Sequence, residues 1–160
     1  MITIRQFKPG DWKDVKTLRL RALRDSPQAF TETLSEATEM SDSMWKKRIE
    51  QNSEGKTSYG VLASDHDKLV GMAVGLRDQI DIPKAQLVAM WVSPDYRGKG
   101  IAKSLVESIS AWAKDSGCQK LVTCVTVQNA QAKHFYTKMG YDLLPDQNCN
   151  EIHLQLPLNT

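Results

Sequence analysis

The stretch Leu87 to Lys114, LVAMWVSPDYRGKGIAKSLVESISAWAK, constrains the rest of the chain more than any other. It opens on an apolar run, Leu87 to Val92, that is short and ended by the Pro-containing turn Ser93-Pro94-Asp95, as a buried strand would be. A glycine-spaced basic loop follows, Arg97-Gly98-Lys99-Gly100-Ile101-Ala102. Ile101, Leu105, Ile109 and Trp112 then recur at helical spacing up to Gly117, a residue suited to capping a helix C-terminus. The unit is strand, loop, helix. A helix's first turn leaves backbone N–H groups unpartnered at the positive end of the macrodipole. Glycines let an anion approach that backbone, and Arg97, Lys99 and Lys103 add positive charge, so the unit suits a phosphate or pyrophosphate. The alternative is that Gly98 and Gly100 only turn the chain and the basic residues are solvated.

Two nucleotide motifs fail on spacing. Lys103-Ser104 does not follow a glycine, which excludes a P-loop, and Gly98-Lys99-Gly100-Ile101-Ala102-Lys103 lacks the third glycine of a dinucleotide fingerprint. Arg97-Gly98-Lys99-Gly100-Ile101-Ala102 instead resembles R/Q-x-x-G-x-G/A, the acyl-CoA loop of the GNAT (Gcn5-related) N-acetyltransferase family. Met90-Trp91-Val92-Ser93-Pro94 resembles the strand before that loop, and Asn129 to Tyr141, NAQAKHFYTKMGY, resembles the family's N-x-x-A-x-x-F-Y-x-x-x-G-F/Y segment. The resemblance runs from Met1 to about Leu156, the first third matching in layout only.

At 160 residues the chain is expected to form one domain, a single N-acetyltransferase domain over residues 1–160 by the resemblance. A net charge of +2 gives no argument for nucleic-acid or membrane partners. No apolar run approaches the roughly 20 residues of a membrane span, and the alternating N-terminus lacks a signal-peptide core. Cys118, Cys124 and Cys149 have no C-x-x-C spacing, so neither a zinc site nor a disulfide framework is expected. The reading is a cytoplasmic protein without a metal.

In order, Ile2 and Ile4 begin an alternating strand, and Asp11 is a candidate N-cap for a helix that buries Trp12, Val15, Leu18 and Ala22 and leaves Lys13, Lys16, Arg21 and Arg24 in solvent. Residues 26–40 are irregular and carry Glu32, Glu36 and Glu39. A second helix covers Met44 to Gln51, capped by Ser41 or Ser43. Strands follow near 58–63, 69–76 and 84–92, with another at 119–127, a helix from Asn129 to Gly140, and closing strands near 141–144 and 152–156 around a polar loop. The crossover between the 84–92 and 119–127 strands through a helix requires that pair to be parallel. The expected fold is α/β, an α+β mixed sheet, mostly antiparallel, with helices on both faces. That order is the one the GNAT acyl-CoA N-acyltransferase fold has, with a splayed parallel central pair.

What the resemblance implies is direct transfer of an acetyl group from acetyl-CoA to a primary amine of a small molecule or peptide. The backbone of Met90, Trp91 and Val92 would pair with the pantetheine arm. Amides from Gly98 through Lys99, Gly100, Ile101 and Ala102 would bind the pyrophosphate, with Arg97 and Lys99 as charge support. Asn129 would contact the cofactor near pantetheine; Asn is also a preferred N-cap, and both roles can hold at once. Tyr136 would meet the thiol and act as general acid, a phenol with a pKa of about 10 being able to protonate a thiolate. The base is open: the two central strands carry no carboxylate, which leaves Asp78, Asp81, Glu32, Glu36 or a water chain. The first two helices and the loop between them would wall the acceptor site, where an acidic loop would suit a cationic amine; the alternative is a solvated loop. A homodimer is compatible with the family. Two further readings are a non-catalytic acyl-CoA-binding regulatory domain of the same fold and a nucleotide-binding regulatory protein.

Overall fold

In a computed structural model the described residues are 1–30, 32–145 and 150–158. Cys149 and most of the polar loop that contains it lie outside them.

The elements run in chain order as β1 (Ile2–Gln6), α1 (Trp12–Asp25), α2 (Leu34–Glu39), α3 (Asp42–Glu54), β2 (Ser58–Asp65), β3 (Lys68–Arg77), β4 (Lys84–Val92), α4 (Ile101–Asp115), β5 (Lys120–Thr126), α5 (Ala130–Lys138), β6 (Asp142–Leu143) and β7 (Glu151–Pro157). They form one seven-stranded sheet in the order β1-β2-β3-β4-β5-β7-β6. Among the described residues, only the β4–β5 pair is parallel. The expected mixed sheet is therefore present.

Alternation along the strands separates two cores. Val61, Ala63, Val70, Ala73, Leu87, Leu121 and Val125 meet Leu105, Ile109 and Trp112 of α4 on one face. Leu62, Met72, Val74 and Trp91 meet Val15, Leu18 and Ala22 of α1 and Ile49 of α3 on the other. Among the described residues, no helix is long and apolar enough to cross a membrane.

The sequence expectations fail mainly at short polar signals. Residues 34–39 form the extra helix α2, held by a capping box in which the Thr33 hydroxyl accepts from Glu36 N–H and the Glu36 carboxylate accepts from Thr33 N–H. Six residues are too few to show a helical period. Ser41, not Ser43, caps α3 by accepting from Met44 N–H, so this helix starts earlier than Met44 and runs past Gln51. Asp11 makes no side-chain cap on α1. It accepts from Lys8 N–H and forms a two-point ion pair with Arg5, which holds its carboxyl below the usual range. Arg21 is not simply solvated, since its Nη2 donates to Ser93 Oγ and its guanidinium lies over the Trp91 ring.

Two backbone irregularities shape the centre of the sheet. Met72 pairs with Trp91 but Val74 pairs with Val88, so β4 carries one extra residue opposite β3. Ala89 sits in that bulge at φ +55°, a left-handed conformation that costs an L residue energy. On the opposite edge, β4 pairs with β5 only from Lys84–Lys120 to Leu87–Thr123. Beyond Leu87 the two strands part, and the rest of β5 pairs with β7 alone.

Candidate functional site

The fork between β4 and β5 is where the expected residues converge. Met90, Trp91 and Val92 line one arm of the fork past the bulge. Their side chains are half-buried or buried, Trp91 being in the core with α1. The Val92 carbonyl already accepts from Arg97 Nε, so it is engaged inside the protein.

At the point where the strands separate, Thr123 Oγ1 donates to the Leu87 carbonyl at 3.2 Å. The Tyr136 hydroxyl reaches Thr123 from α5. Tyr136 is buried beside Phe135 and Tyr141. Burial first, then Tyr141, pushes the phenol well above its ordinary pKa, with Thr123 opposing, so Tyr136 keeps its proton. Asn129 caps α5, its Oδ1 accepting from Ala132 N–H at 3.1 Å. Asn129 therefore caps the helix and stays half-buried, and the cap does not rule out a cofactor contact.

The loop after β4 ends on the N-terminus of α4. Gly98 and Gly100 have φ of +78° and +82°, and an added Cβ at either would meet nothing within 4 Å. Gly100 is the N-cap, no side chain caps the helix, and its first turn carries no acid. The first backbone bond across the junction is from Ser104 N–H to the Gly100 carbonyl. The amides of Ile101 and Ala102 are thus presented at an open, positive helix end, as anion binding requires.

The two basic side chains expected to support that site are otherwise occupied. Arg97 pairs with Asp25 at 2.7 Å, and Lys99 lies over the Tyr96 ring. Asp25, at the end of α1, also accepts from Trp91 Nε1 and Ser26 Oγ. These bonds, the Ser26 contact foremost, hold its carboxyl below the usual range. Asp25 thereby ties α1 to both β4 and the glycine loop. It is a positioning residue that sequence reasoning missed, because its partners lie far along the chain.

A pocket of about 600 Å³ opens on the opposite face, between α1, α3 and the sheet. Its floor includes Met72, Val74, Leu76 and the bulge residues Val88 and Ala89, so it reaches the fork from the α1 side. Its walls carry Arg19, Arg48 and Arg77, and no acid among the described residues. The glutamates of the 26–40 stretch do not line this pocket. Glu32 is bound between Arg19 at 3.1 Å and Arg48 at 3.4 Å, and Glu36 is committed to the capping box. The other candidate bases are also engaged: Asp78 accepts from two backbone N–H groups and pairs with Lys84, and Asp81 pairs with Lys120. Burial lowers the Arg19 pKa, opposed by Glu32. A signal for Arg19 existed, since it follows Val15 by one helical turn and so interrupts the apolar stripe of α1.

Cys124 faces His153 across the β5–β7 register, and with Glu151 these residues place their ligand atoms within 4.8 Å of one another. Cysteine spacing could not show this grouping, because two of its members come from β7. Burial and the Glu151 charge raise the Cys124 thiol above its ordinary pKa.

The model of the family described as "Acetyltransferase (GNAT) family" matches residues 20–141. An aminoglycoside N(6')-acetyltransferase type 1 of Stenotrophomonas maltophilia is 23% identical over 141 residues, covering 88% of this chain and 86% of that protein. A peptidyl-lysine N-acetyltransferase, YjaB of Salmonella typhimurium, is 33% identical over 98 residues, covering 61% of this chain and 59% of that one. Among solved structures, the PaiA N-acetyltransferase from Thermoplasma acidophilum in complex with coenzyme A superposes with a TM-score of 0.82 at 20% identity, covering 98% of this chain and 99% of that one. With the forked strands, the uncapped α4 and a family match over most of its length, the chain belongs to the GNAT family of acetyltransferases.

Proposed function

We propose that this acetyltransferase transfers an acetyl group from acetyl-CoA directly to a primary amine of a small molecule or peptide. The observation that carries the reading is the fork itself: β4 and β5 separate beyond Leu87 and Thr123, Tyr136 reaches that point from one face and the pocket reaches it from the other. The domain assignment takes residues 1–160 as one unit, supported by a single sheet from β1 to β7. A cytoplasmic location fits the free thiols of Cys118 and Cys124.

Several features of the fork and loop support acetyl-CoA as the cosubstrate. The backbone of Met90 and Trp91 is free of β5 and can pair with an amide-bearing arm, while the open amides of Gly98 to Ala102 can take a pyrophosphate. Lys99 can swing from Tyr96 to the same anion. Arg97 holds the loop through Asp25 and the Val92 carbonyl. Asn129 orders the first turn of α5, and α5 sets Tyr136 at the fork. Acetyl-CoA supplies an activated acyl group and a thiolate leaving group. Tyr136 holds a proton at its phenol oxygen where that thiolate would leave.

With no carboxylate in the pocket lining among the described residues, the reading takes water as the acceptor of the proton that the amine loses. The arginines assist, because nearby positive charge disfavours the ammonium form. The same lining argues against a strongly cationic acceptor.

The test is thiol release from acetyl-CoA with a panel of primary amines, alongside thermal stability with acetyl-CoA alone. Amine-dependent release is expected. Stabilisation by acetyl-CoA with no release for any amine would instead support the non-catalytic binding alternative.

A further inference from the structure

The pocket on the α1–α3 face holds an unusual set of donors. Arg19 is largely enclosed, its side chain 13% exposed, and Nε is its bond to Glu32. Its Nη1 is closed off with no acceptor. Trp45 Nε1, from the same pocket wall, is likewise buried without an acceptor. Arg48 lies over the Trp45 ring and makes a long bond to Glu32, which leaves most of its guanidinium donors unused. Arg77 adds a third guanidinium. One carboxylate, Glu32, thus serves two guanidinium groups, and no acid lines the cavity among the described residues. Buried donors without acceptors are rare in folded proteins, and two in one wall call for an acceptor from outside.

We infer that this wall is a carboxylate-binding subsite, and that the acceptor is an amine that also carries a carboxylate, which engages the partly exposed Arg48, draws it off the Trp45 ring and so reaches the covered donors of Trp45 and Arg19, with its amino group directed toward the bulge at Ala89. Guanidinium groups bind carboxylates through paired charge-assisted hydrogen bonds, and the indole N–H adds a neutral donor. The apolar floor of Met72, Val74, Leu76 and Val88 accommodates the hydrocarbon between the two ends. This inference rests on the transfer to an amine proposed above and specifies its substrate class.

The experiment uses the full chain loaded with coenzyme A and titrates in N-acetylated amino acids, each paired with its own carboxamide, by calorimetry. Turnover is measured separately with the matching free amino acids and amino-acid amides. The carboxylate of each pair is expected to bind about tenfold or more tightly, as loss of a charge-assisted pair implies. Arg48→Gln and Trp45→Phe should each reduce that preference; acetyl-CoA stabilisation shows that the variants are folded. Arg19→Gln is the more drastic variant, because it also removes the shorter of the two ion pairs of Glu32. Equal binding of acid and amide, or binding of neither, overturns the subsite, whatever the turnover. Preferential carboxylate binding without turnover of any amine would leave the subsite standing and remove the transfer reading.

Discussion

On the side of the fork that meets α4, what the protein offers a ligand is backbone: the unpaired edge of β4, the open amides at Gly98 to Ala102 and the positive end of the helix. On the α1–α3 side it offers side chains, with Arg19, Arg48, Arg77 and Trp45 brought from two helices and a strand. A backbone site needs glycines, an uncapped helix and a strand break in one continuous stretch, so its signature is local. A side-chain site needs only that distant residues arrive together. The first kind suits a ligand shared by a whole family, and the second can change its specificity without disturbing the sheet.

Four measurements break or sharpen that contrast. The largest effect is expected from Tyr136→Phe, which keeps the ring in place and removes the proton. Its kcat should fall by about 10²–10⁴-fold, the usual range for a positioned acid, while acetyl-CoA still stabilises the protein. Unchanged steady-state thiol release would reduce the α5 contribution to packing.

Next is Gly100→Glu, which sets a carboxylate on a left-handed residue at the helix end. Acetyl-CoA at about 100 times its dissociation constant should stabilise the wild type by roughly 2.7 kcal/mol, and the variant should lose that shift. If the shift survives in thermal melts, the pyrophosphate does not sit on this loop.

Asp25→Asn probes the tie between the two sides. It weakens an ion pair that is partly open to solvent and hydrogen bonds to Trp91 and Ser26, so about 1 kcal/mol is expected. That corresponds to a fall in melting temperature of roughly 2–4 °C for a protein of this size. The KM for acetyl-CoA should rise as well, since Arg97 is released; a stability loss with unchanged KM would show that the tie does not position the loop.

The smallest effect concerns acid stability. The Tyr96 hydroxyl, then His66 and the N-terminal ammonium, lower the Asp65 carboxyl to about 2. A carboxyl lowered on folding contributes stability above its unfolded pKa, and that contribution is lost as pH falls from about 4 toward 2. Asp65→Asn should therefore flatten the acid limb of the stability curve in that window without altering it at neutral pH beyond a constant offset. Denaturant midpoints across the pH series measure this directly.

Much of the molecule was legible in the sequence where a long period or a local motif carried it. The apolar spacing Ile101-Leu105-Ile109-Trp112 located α4, and the β-branched run at 121–127 located β5. Thr33 and Glu36 also made a local signal, but α2 is too short for its period to register. Arg21 and Asp11 were misplaced because their partners, Ser93 and Arg5, are set by tertiary packing. How Glu32 is used was not legible, because charge counted along the chain does not show that Arg19 and Arg48 converge on it.

The sequence by itself determined the order of elements apart from α2, the parallel crossover between β4 and β5, and the glycine loop at the head of α4. Each of these follows from backbone preference and side-chain periodicity, which act over a few residues. Only the tertiary structure decided where β4 leaves β5, that Ala89 occupies the bulge, that Asp25 fastens the loop, and that the pocket between α1, α3 and the sheet is lined, among the described residues, with arginines rather than acids. Those features depend on contacts between residues distant in the chain, whose energies are set by burial and by which partners packing allows.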